Sequence, residues 1–181
     1  MPVVDVYSPF SGTITNIDSL CAPHKACNGE GYLIDIAAPP GTNVYLYTTY
    51  PIKVYISTLY QCCYSISPDY YRCIRRVDLY DYSTNCYVGS VFYGHLDQAA
   101  GQQPDGWTTL LTSNRLLLGK IPGCTKCTST CCCGAIKDPE CCFSGPHVHI
   151  GMINGQRAPL ACWQTVSEGT TLLYSFQVYP C

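Results

Sequence analysis

The sequence predicts an all-β fold, one antiparallel domain spanning residues 1–181 with long disulfide-held loops. Three observations lead there. Short alternating runs rich in Val, Ile and Tyr recur between Gly, Pro, Asn and Asp turn signals. No long stretch carries a 3.6-residue apolar period with caps, so helices are not expected. Fifteen cysteines in 181 residues indicate an oxidising compartment and a disulfide framework.

The elements follow in order. Val3–Tyr7 alternates and reads as a strand, an apolar edge exposed for pairing with another chain. Ser8-Pro9-Phe10-Ser11-Gly12 is a turn, and Thr13–Ile17 a second strand. Cys21 to Gly29 is a loop that Cys21 and Cys27 would close, followed by a strand over Gly31–Ile36. Pro39-Pro40-Gly41-Thr42 turns the chain into Asn43–Tyr47, and Pro51–Ser57 is a further β run. A Cys/Tyr-rich insert occupies Cys62 to Arg76. Val77–Tyr82 alternates cleanly, Tyr87–Asp97 follows it, and Ala99 to Asp105 is a Gly/Gln-rich loop. Leu116–Ile121 is a short buried strand, and 122–142 is a Cys-rich loop. Gly145-Pro146 then punctuates a strand in which Val148 and Ile150 alternate with two histidines. Ile153-Asn154-Gly155-Gln156 signals a hairpin, and two late strand-like runs end at Cys181.

Composition narrows the function classes. A net charge of −2 gives no electrostatic footprint for nucleic acid. Charged residues are only 12% of the chain while tyrosines number 16, a balance suited to packing against other copies, glycans or a wall. No stretch approaches membrane-spanning length. Met1-Pro2-Val3-Val4-Asp5 lacks the basic and apolar regions of a secretory signal, which reads as a mature or trimmed form. An odd cysteine count leaves at least one thiol free or bonded to another chain, and no Asn-x-Ser/Thr glycan acceptor is present.

The chemistry concentrates on histidine. His147 and His149 are two residues apart, so on a strand they share a face while Val148 and Ile150 turn to the core. Paired imidazoles suit a zinc site or acid–base work. His95 closes an apolar strand ahead of a loop, where a rigid scaffold holds a functional side chain. Cys124-Thr125-Lys126-Cys127, with the cysteines downstream, matches half of a zinc knuckle, although an oxidising context favours disulfides.

Tyr93-Gly94-His95-Leu96-Asp97 followed by Ser144-Gly145-Pro146-His147-Val148-His149-Ile150 resembles the paired signature of M23 (LytM/lysostaphin-type) zinc metallopeptidases, roughly Tyr-x-His-Leu and then Gly-Pro-His-x-His-Phe. Tyr7 to Ile14 resembles the family's Ala-Pro-x-x-Gly-x-Val strand, and Gly119 falls where the family has a glycine between the two His motifs. The tail Gly151 to Gln156, with Cys162-Trp163 after it, is most similar to the β-lytic branch. The resemblance covers about residues 6 to 165, broken by the insert and the Cys-rich loop. It implies an M23/LytM-like architecture with His149 as a zinc ligand and His95 and His147 as the non-ligand histidines that activate water and stabilise the oxyanion. It also implies zinc as the cofactor of an active member, with the open coordination position of a catalytic site.

The chain departs from the pattern at the other two ligands. The family takes them from a His-x-x-x-Asp motif, expected just before the Ala-Pro-x-x-Gly strand. Here the carboxylate in that area is Asp5, and Met1 stands four positions before it. Asp35 follows Gly31 at the motif's spacing, but after the strand, and His24 is the remaining histidine. Asp5, His24 and Asp35 are therefore the candidates to complete a site around His149.

Two functions follow as expectations. One is a secreted, non-catalytic M23-like pseudoenzyme that expects no cofactor. It would serve as an extracellular structural or self-assembling protein, forming oligomers or filaments, or bind glycan or peptide. The other is an active zinc endopeptidase cutting cell-wall peptides. A Cys-rich signalling or defence protein on the same fold is a third.

Overall fold

A computed structural model describes residues 2–18, 21, 31–59, 74–111, 114–121 and 146–181. The described residues form β-strands and turns, with no helix among them long and apolar enough to cross a membrane.

Eight strands build a large antiparallel sheet. In chain order they are β2 (Gly12–Ile17), β3 (Gly31–Ala37), β5 (Ile52–Leu59), β6 (Ile74–Asp81), β7 (Tyr87–Gly94), β8 (Gly106–Leu110), β10 (His147–Ile153) and β12 (Thr165–Val166). Across the sheet they run β12-β2-β3-β10-β7-β6-β5-β8. A three-stranded sheet sets β13 (Leu172–Gln177) between β1 (Val3–Tyr7) and β11 (Gln156–Arg157), and β4 (Asn43–Leu46) pairs with β9 (Leu116–Lys120) as a ribbon.

Alternation explains which face goes inward. Ile34 and Ile36 on β3, Val148 and Ile150 on β10, Val77 and Leu79 on β6, and Val54 and Ile56 on β5 are all buried. They share one apolar cluster with Val4 and Val6 of β1, Phe176 of β13, and Val44 and Leu118 of the ribbon. Each such side chain contributes about 1.5–3 kcal/mol on leaving water. The opposite face of the large sheet therefore carries the polar and aromatic side chains.

Several expectations are corrected. Val3–Tyr7 is not an exposed apolar strand: β1 pairs antiparallel with β13, and Val4 and Val6 are fully buried. Its other edge receives Thr49 N–H on the Asp5 carbonyl and donates Tyr7 N–H to the Tyr47 carbonyl. Cys21 is bonded to Cys162, not to Cys27, and a second disulfide joins Cys86 to Cys181. The Asn154-Gly155 turn does not close a hairpin. It carries the chain from β10 in the large sheet to β11 in the small one, with Asn154 at φ 65°. Ile74-Arg75-Arg76, expected at the end of the insert, begins β6. The rest of the insert, the 122–142 loop and His24 lie outside the described residues.

One buried cation organises the loop ahead of β8. Arg75 is 1% exposed and donates from Nη1 to the Leu118 carbonyl at 3.0 Å and from Nη2 to the Gln103 carbonyl at 2.6 Å. Asp105, 3.4 Å from the same guanidinium, accepts from the backbone N–H and hydroxyl of Thr58 on β5. The guanidinium's fixed fork of donors suits this bridging of two carbonyls.

Candidate functional site

The site forms where β3, β10 and β7 run side by side on the outer face of the large sheet. Directly paired residues on neighbouring strands point to the same side. His149 is paired with Asp35 on β3 and with Gly94 on β7, and His147 is paired with Ala37. Asp35 is 7% exposed and His149 5%, so both polar groups are held away from bulk water. Asp35 Oδ1 lies 3.2 Å from His149 Nδ1. At that separation the carboxylate orients the imidazole, the usual support for a histidine that binds or transfers protons.

His95 joins this pair from the end of β7. It adopts a left-handed backbone conformation, φ 58°, uncommon for a residue with a side chain though histidine is among those enriched there. Its ring centroid is 5.0 Å from that of His147 and 5.9 Å from that of His149, edge-to-face in both cases. Glycine at 94 makes this packing possible, because a Cβ there would stand 3.2 Å from His149 Cβ. Two residues after His95, Asp97 and Lys120 exchange backbone hydrogen bonds of 2.9 and 3.0 Å, so β9 braces the loop that carries it.

The sequence's candidates are thus placed as follows. His95, His147, His149 and Asp35 come together on one face. Asp5 does not join them: it lies on β1 in the small sheet, where it accepts a hydrogen bond from the Ser175 hydroxyl at 2.7 Å. Asp35 is the carboxylate that reaches His149, from the strand after the Pro9–Gly12 turn and not from the segment before it. Its signal was the spacing to Gly31, which pairs with Met152 further along the same two strands. Tyr93, the tyrosine of the Tyr-x-His-Leu motif, faces the core. Burial pushes its hydroxyl above the ordinary tyrosine range and keeps it neutral.

A catalytic zinc takes three protein ligands and keeps one open position. Among the described residues, no three His, Cys, Asp or Glu side chains are grouped to hold one metal ion. Asp35 and His149 supply two facing donors, and position 31, four residues before Asp35, is a glycine. A catalytic zinc would need a third donor beside this pair. What the arrangement offers by itself is a cluster of imidazoles beside a carboxylate, set in a sheet face that continues over β7, β6, β5 and β8.

No family model matches this chain, and comparison with curated proteins and with solved structures finds no match to it.

Proposed function

We propose that this chain is a secreted, non-catalytic M23-like module whose outer sheet face binds an extracellular ligand, a glycan or a peptide. The observation that carries the reading is the donor set at β3 and β10. Asp35 and His149 face each other, His95 and His147 stand beside them, and Gly31, four residues before Asp35 at the spacing of a His-x-x-x-Asp motif, offers no side chain. On this reading the sheet face with its histidines serves binding and not metal chemistry. The two disulfides among the described residues support placement in an oxidising, extracellular setting. Self-assembly through β1 has less support than binding, because the apolar side chains of that strand are already buried.

Metal content tests this. Purified protein analysed by mass spectrometry is expected to hold no stoichiometric zinc and to leave cell-wall peptides uncut, while Gly31→His gains zinc. One zinc per wild-type chain, lost in His149→Ala, would overturn the proposal.

A second reading, an active zinc endopeptidase, draws on one distance. Two ligand atoms on a tetrahedral zinc lie roughly 3.3 Å apart, and Asp35 Oδ1 and His149 Nδ1 are separated by 3.2 Å. Its third donor would be His24, outside the described residues. The same zinc measurement decides between the two.

A further inference from the structure

The outer face of the large sheet does not end at the histidines. Strand register carries it from His149 through Gly94 and Ile74, and in the parallel rows from Phe92 to Arg76 and from Ser90 to Asp78. Asp78 is paired with Tyr55 on β5, and Tyr55 with Trp107 on the edge strand β8. Tyr55 is 38% exposed, Tyr87 42% and Trp107 62%, while most large apolar groups among the described residues are buried. These rings touch in series. Tyr87 and Tyr80 have centroids 5.6 Å apart, Tyr80 and Trp107 4.8 Å, and Trp107 and Tyr55 5.3 Å.

Fixed polar groups border the rings. Ser90 Oγ donates to Asp78 Oδ1 at 2.5 Å, Arg76 Nε donates to the same oxygen at 2.7 Å, and the Tyr87 hydroxyl is 2.7 Å from Ser90 Oγ. Arg76 and Asp78 neutralise each other, and Arg76 also lies over the Phe92 ring at 5.5 Å. The platform therefore combines ring faces with a rigid hydrogen-bonding network of no net charge.

We infer that this Tyr55–Tyr80–Tyr87–Trp107 platform is a stacking subsite for a neutral, β-1,4-linked pyranose oligosaccharide, laid along the same sheet face as the histidine cluster. The inference rests on the proposed reading of that face as a ligand-binding groove and names its ligand class. Pyranose rings with equatorial substituents present flat patches of weakly positive C–H groups, which match the negative face of an aromatic ring. Their hydroxyls match oriented groups such as the Asp78 carboxylate and the Tyr87 hydroxyl, which the buried Ser90 holds in place. Charge discriminates between ligand classes. A single-stranded nucleic acid would stack on the same rings but needs a positively charged groove along its backbone, whereas here Arg76 is paired with Asp78, Lys53 opposite Tyr80 adds one cation beside the rings, and the chain as a whole is at −2.

The chain has two tryptophans, which makes the test direct. Trp163 is also exposed, at 66%, but lies beside β12 at the opposite edge of the sheet. Chitohexaose and cellohexaose are titrated separately into the full chain, with tryptophan emission and calorimetry as readouts; the two arms show whether the N-acetyl group matters. Saturable binding to one or both is expected. Trp107→Ala and Tyr55→Ala weaken it about five- to tenfold each, Trp107→Phe largely keeps it, and Trp163→Ala leaves it unchanged. Unaltered circular dichroism and melting of these exposed-site variants exclude misfolding. The inference is overturned if neither hexasaccharide binds, or if Trp107→Ala binds as wild type does. It is equally overturned if the wild type sediments as a dimer that Trp107→Ala dissociates and binds no sugar, since the face then serves a second copy. Zinc and peptide hydrolysis in the wild type would sink the pseudoenzyme reading while leaving these sugar titrations to be judged on their own.

Discussion

Asp35 Oδ1 and His149 Nδ1 stand 3.2 Å apart although 114 residues separate them in the chain. They are direct cross-strand partners on β3 and β10, and both are nearly excluded from solvent. A buried polar group that loses its partner keeps the desolvation cost without the compensating bond. Asp35→Ala is therefore expected to lower stability by about 1–3 kcal/mol, and Asp35→Asn, which keeps an oxygen at the same place, by less. Urea unfolding of the two variants checks the order; equal losses would show that the carboxylate oxygen does not hold the imidazole.

Arg75 ties two segments to the core side of β6. Its donors reach the carbonyls of Leu118 on β9 and Gln103 in the loop leading to β8. Arg75→Ala leaves both carbonyls without that cation and is expected to cost about 2–4 kcal/mol. Arg75→Lys recovers little of it, because an ammonium cannot span the two carbonyls as a planar fork does. A lysine variant that melts like wild type would show that charge alone suffices. Since the same loop delivers Trp107, both variants should also weaken the aromatic platform.

Asp81 sets an acid limit on the β6–β7 turn. Its Oδ1 accepts from the backbone N–H groups of Ser83 and Thr84 and from both hydroxyls. The Ser83 hydroxyl bond is the largest cause holding its pKa below the ordinary aspartate value, with burial opposing and Thr84 adding to the depression. A carboxylate whose folded pKa is depressed contributes stability above its unfolded pKa, about 3.9, and loses that contribution as pH falls through the folded value. Wild-type stability should thus decline below about pH 4 more steeply than that of Asp81→Asn, which keeps an acceptor but does not titrate. Parallel melting curves of the two proteins down that range would contradict it.

How much of this was legible in the chain depends on how local each feature is. Val4 and Val6 alternating in Val3–Tyr7 mark β1 at its full extent, and Val148 and Ile150 mark β10, because side-chain alternation is a property of the strand itself. β8 escapes the same reading: Gly106-Trp107-Thr108-Thr109-Leu110 is an edge strand whose outward positions are Trp107 and Thr109, so its pattern carries little apolar signal. Pairing is where local signals fail. Asn154-Gly155 has the chemistry of a hairpin turn, yet the strands on either side join different sheets. Cys21 finds Cys162 across 141 residues in preference to its neighbour Cys27. The meeting of Asp35 with His149 is of the same kind, visible in the sequence as a spacing and decided by sheet register.

Gly119 shows how the frame holds the site. A Cβ at this position would lie 2.9 Å from the Asp97 carbonyl oxygen and 3.2 Å from a methyl carbon of Leu96, and neither the backbone nor the buried Leu96 can withdraw cheaply. The glycine lets β9 run close enough for Lys120 and Asp97 to exchange two backbone hydrogen bonds, two residues along the chain from His95. Gly119→Ala is therefore expected to cost about 1–3 kcal/mol, as overpacking does, and to move His95 with its loop. The movement should appear as a changed imidazole Cε1–H resonance of His95, and of His147 whose ring it contacts. Lys120→Ala is the control. It removes an exposed side chain whose 3.9 Å ion pair with Asp97 is worth about 0–1 kcal/mol, and it keeps the backbone ladder. If Gly119→Ala loses stability while both histidine resonances stay in place, β9 supports the fold without positioning the histidines. If the resonances shift and Lys120→Ala leaves them alone, the close approach of β9 is what holds His95 against the cluster.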